Sequence, residues 1–218
     1  MTAKELLSKN FKLPSITNTV DEALQIMDLN KVRHLPLIKS KAFLTIVDEE
    51  SLKMTGPGTV LADLSKTGVR EYLRSNDHML EAAKKMNRER LTVLPVLDAE
   101  DTYQGVVTFE DLFKNIIRTY ELDAEGNLLI IEISQQDFHL SELLRILEQE
   151  SVHVFSVLVS RTQYPTIEIT LKTDLKDINA ILQTLERYSY KVKAYYEDDS
   201  QSHQLKDRYE SLMSYLNV

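Results

Sequence analysis

The sequence predicts an α+β chain in which two similar units are followed by a βαββαβ domain and a C-terminal helix. Residues 20–38, VDEALQIMDLNKVRHLPLI, recur 59 positions later as residues 79–97, MLEAAKKMNRERLTVLPVL. A repeat of this length is a complete structural unit rather than a single helix or hairpin. After residue 127 the apolar segments follow another order, which indicates a second kind of domain.

Each repeat reads as helix, strand, strand and helix, with a short related segment ahead of it. Apolar side chains at helical spacing are followed by a short apolar strand that holds a proline, HLPLI in the first copy and VLPVL in the second. A polar turn, a second strand and a second helix complete the unit. Thr19 and Asp77 stand where the N-caps of the first helices are expected.

The domain boundaries follow from these patterns. The tandem unit is expected at residues 1–121, with repeat 1 at about 1–58 and repeat 2 at about 59–121. A polar linker leads to strands and helices in the order βαββαβ at residues 127–197, which is the ferredoxin-like signature. An apolar stripe at helical spacing predicts an amphipathic helix over residues 198–218, which should pack on its own domain or on a partner subunit.

The second strand of repeat 2 runs into GVVTFEDL at residues 105–112, which resembles the closing Gly-x-x-Thr-x-x-Asp motif of CBS domains. The proline strands resemble that family's hydrophobic-x-Pro strand, and the likeness covers about residues 1–120. The resemblance implies a tandem CBS pair, or Bateman module, that binds an adenosine-containing ligand between its repeats. AMP, ADP, ATP and S-adenosylmethionine are the ligands that it suggests.

The junction between the last strand and last helix of repeat 2 is the candidate site. Backbone N–H groups at the start of a helix carry positive partial charge and favour an anion. Carried over by position from the family motif, Thr108 would face the phosphates and Asp111 the ribose. Arg33 and His34 stand just before the proline of repeat 1, where family members often place basic residues that contact phosphate.

The two repeats differ at this junction. Repeat 1 has Asp48 in place of the threonine and Ser51 in place of the aspartate, so its carboxylate would repel a phosphate. One composite site is therefore expected, formed by Thr108 and Asp111 with help from repeat 1. The alternative is a structural or protein-interaction module with vestigial clefts, in which Thr108 only caps the last helix and Asp111 is its first-turn acid.

The βαββαβ segment resembles an ACT-type regulatory domain. Members that bind amino acids usually have a glycine between the first strand and helix, whereas Phe138 stands there in this chain. A bulky ring would obstruct such a pocket, so a structural, dimer-forming role is favoured over amino-acid binding. Both domain types and the apolar stripe near the C-terminus suggest a homodimer.

Composition limits the remaining classes of function. The formal net charge of −8 argues against nucleic acid as the main partner. No apolar run is long enough to cross a bilayer, and zero cysteines fit a cytoplasmic protein. The five histidines show no metal-ligand spacing, and no nucleophile stands with a base and a third group that would orient it. We therefore expect a regulatory, non-catalytic protein without membrane contact.

Overall fold

The computed structural model describes residues 1–161, 165–175 and 177–198. The predicted C-terminal helix lies outside these residues except for its first position. The chain divides into two compact units, Met1–Ile116 and Ile117–Val218. Helices and strands both occur in each, so the predicted α+β class is confirmed.

The first unit contains the two repeats in the predicted order. Repeat 1 comprises α1 (Val20–Asn30), β1 (His34–Lys39), β2 (Ala42–Asp48) and the short α2 (Glu49–Lys53). Repeat 2 comprises β3 (Leu73–Arg74), α3 (Met79–Glu89), β4 (Val93–Leu97), β5 (Tyr103–Thr108) and α4 (Phe109–Thr119), which crosses the division between the units. In each repeat the two main strands pair antiparallel.

The helix starts show which capping predictions are correct. Thr19 caps α1, and Glu22 completes a capping box with it. The prediction for α3 is wrong by one position, because His78 is its N-cap. The carboxylate of Asp77 instead accepts the N–H of Arg74 at 2.9 Å.

The segment ahead of each repeat pairs with the other repeat. The N–H of Ala3 donates to the carbonyl of Asp77 at 2.8 Å, and the N–H of Ser8 donates to the carbonyl of Val106 at 2.8 Å. Likewise, Val69 in the segment ahead of repeat 2 forms an antiparallel β-bridge with Ile46 of repeat 1. Gly68 makes this approach possible, since a Cβ there would lie 2.2 Å from the Ile46 carbonyl oxygen. The repeats are thus interlocked, and one apolar core joins side chains of both.

The second unit has the βαββαβ order. Its elements are β6 (Asn127–Ser134), α5 (Leu140–Gln149), β7 (Val154–Arg161), β8 (Thr166–Thr173), α6 (Asn179–Arg187) and β9 (Lys191–Tyr196). The sheet order is β7-β8-β6-β9 and its pairs are antiparallel, which is the ferredoxin-like arrangement. The core lies between the sheet and the two helices, and Phe138 packs against it.

Candidate functional site

Thr108 links the end of β5 to the start of α4. Its side chain is buried, and its Oγ1 accepts the N–H of Asp111 at 3.1 Å. The same hydroxyl donates to Oδ2 of Asp111 at 2.8 Å. The first N–H groups of a helix have no partner within it, so this contact satisfies one of them. The expected capping role of Thr108 is therefore present in the structure.

Asp111 lies half-buried in the first turn of α4 and receives a second hydroxyl. Ser8, in the segment ahead of repeat 1, donates to the same Oδ2 that accepts from Thr108. Within the described residues, no hydrogen bond reaches Oδ1 of Asp111, and a carboxylate offers about four acceptor positions. Asp111 is thus partly satisfied by its own chain and keeps acceptor capacity for a ligand.

One backbone donor remains open at the same helix start. The N–H of Phe109 donates to the carbonyl of Thr92 at 2.9 Å, and that of Asp111 is capped by Thr108. The N–H of Glu110 has no acceptor in the part of the chain that the structure describes, while its side chain pairs with Lys114. Because α4 is 11 residues long, its N-terminus carries the positive partial charge of a full helix.

His34 and Arg33 meet repeat 2 at Thr92. The backbone N–H of Arg33 donates to Oγ1 of Thr92 at 3.0 Å, and the N–H of Thr92 donates to Nδ1 of His34 at 3.2 Å. Nδ1 must be unprotonated to accept this bond, so the imidazole is neutral and carries its proton on Nε2. Burial, reinforced by the charge of Arg33 and opposed by that of Asp48, lowers the pKa of His34. His34 therefore offers an N–H donor rather than a cation.

Arg33 supplies the positive charge instead. Its side chain is 78% exposed, and its Nε lies 3.9 Å from Oε2 of Glu49. Among the described residues, no hydrogen bond joins Arg33 or His34 directly to Thr108 or Asp111. Thr92 connects the two pairs, because its side chain contacts repeat 1 and its carbonyl accepts the first N–H of α4.

At the equivalent junction of repeat 1, both oxygens of the carboxylate accept hydrogen bonds from within the junction. Asp48 caps α2: its Oδ1 accepts the N–H of Ser51 at 2.8 Å, and its Oδ2 accepts the hydroxyl of Ser51 at 2.6 Å. Burial opposes ionisation, but the hydrogen bonds from Ser51 and from the backbone of Asp48 outweigh it and lower the pKa of Asp48. A full negative charge therefore occupies the position at which repeat 2 has a hydroxyl.

Two further features of the described residues bear on function. No group of three or more histidine, aspartate or glutamate side chains is placed to hold a metal ion within them. Nor does any helix in that part of the chain have both the length and the apolar composition needed to cross a membrane.

Residues 68–118 match the CBS domain family. The chain therefore contains a CBS domain at these residues. The matched stretch of this CBS domain contains both Thr108 and Asp111, and repeat 1 is its internal counterpart. A CBS domain-containing protein of Dictyostelium discoideum is 26% identical over 134 residues, which are 54% of this chain and 92% of that protein.

Solved structures of other proteins are also similar to this chain. The putative acetoin utilization protein AcuB of Vibrio cholerae is 22% identical, with a TM-score of 0.49 over 56% of this chain and 95% of that one. A CBS domain pair/ACT domain protein of Thermotoga maritima is 20% identical, with a TM-score of 0.47 over 55% and 98%. CBSX2, solved in complex with AMP, is 22% identical, with a TM-score of 0.46 over 54% and 97%. With TM-scores below 0.5, these structures do not carry the assignment, which rests on the family match.

Proposed function

We propose that the tandem unit senses an adenine nucleotide or an adenosyl compound and that the protein is regulatory rather than catalytic. The observation that carries this proposal is the junction of β5 and α4. There a carboxylate with a free oxygen, a hydroxyl and an open helix N–H lie within one turn, at Asp111, Thr108 and Glu110.

The proposed ligand uses the carboxylate and the open N–H, while the Thr108 hydroxyl caps the helix and positions Asp111. A ribose presents two neighbouring hydroxyls, which a carboxylate such as Asp111 can accept together. A phosphate is stabilised by the Glu110 N–H and the helix dipole, and the exposed guanidinium of Arg33 adds a charged donor. His34 contributes its Nε2–H as a neutral donor. These contacts suit a molecule that carries both a diol and an anionic group.

The proposal includes only one such site. The ionised Asp48 takes the place of the threonine in repeat 1, and both of its oxygens already accept hydrogen bonds from Ser51. A phosphate placed there would meet a like charge at short range. The ligand should therefore bind with a stoichiometry of one per chain.

Isothermal titration calorimetry with AMP, ADP, ATP, S-adenosylmethionine and NADH tests the proposal. At least one of them should bind, and Asp111→Ala should weaken it ~30-fold or more because a charge-assisted acceptor is lost. Ser51→Ala is the matched control at the equivalent position of repeat 1 and should change affinity less than ~2-fold. No binding by any compound at millimolar concentration would refute the sensor, and equal losses in the two variants would refute the single site.

A homodimer is the further part of this proposal. Phe109 and Phe113 stack with ring centroids 6.2 Å apart and are 56% and 54% exposed. They line an apolar groove of about 370 Å³ between α3 and α4. If this face joins two copies, Phe113→Lys should convert a dimer to a monomer in sedimentation equilibrium, whereas Val69→Lys, outside the groove, should not.

Sedimentation and calorimetry together separate the sensor from the second candidate function, a structural module with vestigial clefts. The exposed aromatic pair on α4 favours it independently of any ligand. A dimer that binds none of the five compounds would support this structural function. A ligand-binding dimer would support the sensor.

A further inference from the structure

A second pocket, lined by both charged and apolar side chains, lies at the other end of the tandem unit. It has a volume of about 280 Å³ and is lined by Arg70, Tyr72 and Arg74 together with side chains at the hairpin ends of both repeats. The proposed nucleotide contacts lie at Thr108, the last residue of β5, whereas this pocket lies beside the hairpin at the start of that strand. Six strand residues span about 17 Å, so the two places are distinct.

The charge in this pocket is unbalanced. The guanidinium of Arg74 is held by Oδ1 of Asp101 at 2.7 Å and by the carbonyl of Asp98 at 2.6 Å. Asp101, the acid that lines the pocket, is thus neutralised by Arg74. Arg70 is exposed and has no hydrogen bond or ion pair within the described residues. The pocket therefore carries one unpaired positive charge on a chain whose formal net charge is −8.

Its walls are apolar and rigid. Phe43 and Leu97 are 5% and 3% exposed, so their positions are set by the core. The Tyr72 ring meets the ring of Phe43 edge-on, with centroids 6.3 Å apart, and Arg74 lies 5.0 Å above the Tyr72 ring. A ligand that enters would find an apolar surface beside a single free guanidinium.

The fold by itself does not require these residues. The repeat offset of 59 places Phe11, Leu13 and Ser15 at the positions that correspond to Arg70, Tyr72 and Arg74. The three corresponding residues therefore include no arginine, although they belong to the same structural segment. Arg70 and Arg74 are therefore specific to the pocket of repeat 2 and are not repeated in the segment ahead of repeat 1.

We propose that the pocket binds a small carboxylate that carries an apolar body. A carboxylate matches the planar fork of Arg70 and needs only one positive charge. Phe43, Tyr72 and Leu97 then contact the apolar body. A phosphate fits less well, because it brings more charge than the pocket balances and has no apolar part for these walls.

Benzoate is the probe and benzamide its neutral control. Titrated into the full chain and followed by ligand-observed NMR, benzoate should bind saturably with a Kd of ~1 mM, the affinity expected of a molecule with about nine non-hydrogen atoms. Benzamide and inorganic phosphate should bind at least ~10-fold more weakly. Arg70→Gln should weaken benzoate ~10-fold, because the charged fork is lost.

Matched variants test the location of the site. Arg118→Gln removes an exposed arginine that does not line the pocket and should leave benzoate binding unchanged. Tyr72→Phe keeps the ring and should bind within ~2-fold of the parent chain, whereas Tyr72→Ala should lose most of the affinity. AMP should not displace benzoate, and Asp111→Ala should not affect it.

The proposal is overturned if benzamide binds as well as benzoate or if Arg70→Gln and Arg118→Gln have equal effects. Displacement of benzoate by AMP would also overturn it, because the two compounds would then share one site. Failure of benzoate to bind, with a nucleotide still bound at the Asp111 site, would refute this pocket and leave the sensor intact.

Discussion

The two strand-to-helix junctions of the tandem unit contain the same hydrogen bonds with the chemical roles exchanged. In repeat 1 the cap is an acid and the residue three positions later is a hydroxyl, Asp48 and Ser51. In repeat 2 the cap is a hydroxyl and the later residue is the acid, Thr108 and Asp111. Each helix start is thus capped by a side-chain oxygen, and each hydroxyl donates to the carboxylate.

Exchanging the positions of the acid and the hydroxyl changes how much hydrogen-bond acceptor capacity remains for a ligand. At the first junction both carboxylate oxygens accept from Ser51 and the negative charge lies at the cap itself. At the second junction the cap is neutral, and one oxygen of Asp111 has no partner in the described chain. A single capping motif can therefore be either a closed structural feature or an open site, depending on which position holds the acid.

Exchanging the residues of the first junction should have the largest effect. The double variant Asp48→Thr with Ser51→Asp gives repeat 1 the residues of repeat 2, so the ligand should bind twice per chain rather than once in calorimetry. The new site should be ~10-fold weaker, because Thr92 stands opposite it in place of Arg33. Asp48→Thr alone is the control and should not add a site. A stoichiometry of one for the double variant would show that the cleft, and not the junction, limits binding.

Removing the cap of repeat 1 should have the next largest effect. Asp48→Ala leaves the first turn of α2 without its side-chain acceptor and should lower the free energy of unfolding by about 1 kcal/mol. Chemical denaturation measures this change. Ser51→Ala keeps the backbone contact and should cost less than half as much. An Asp48→Ala variant as stable as the parent would mean that α2 does not depend on its cap.

Removing Ser8 should change the second junction more mildly. Ser8→Ala frees one acceptor position on Asp111, so the affinity for the diol ligand should rise ~3-fold, the equivalent of about 0.6 kcal/mol. Ser65→Ala, in the other leading segment, is the matched control. If the affinity falls instead, Ser8 is a contact of the ligand and not its competitor.

The smallest expected effect is a pH dependence from His34. Burial lowers the pKa of His34, so the unfolded chain binds more protons than the folded chain once the pH falls to about 6.5 and below. Stability should therefore decrease as the pH falls through this range, when the bond from Thr92 must break. His34→Gln should flatten the change in Tm between pH ~7.5 and ~5.5. His139→Gln, at an exposed histidine, controls for the change of residue type. An unchanged slope in His34→Gln would contradict the buried, neutral imidazole.

The structural features that depend on neighbouring residues in the sequence are predicted correctly. The duplicated units, the cap at Thr19 and the βαββαβ order are all present, because helical spacing and strand alternation act over a few residues. The N-cap of α3 was misplaced because Asp77 and His78 both offer a side-chain acceptor, and only the backbone geometry selects between them. The roles of Arg33, His34, Thr108 and Asp111 toward a ligand stay predictions.

The sequence by itself determined the duplication, the asymmetry of its two junctions and the change of fold after residue 127. Tertiary structure decided which residues meet at the junctions. Ser8 reaches Asp111 only because the leading segments are exchanged between repeats, and His34 accepts the N–H of Thr92 only because the two repeats pack together. Contacts between positions about 100 and 58 residues apart in the chain depend on packing, which leaves no local pattern in the sequence.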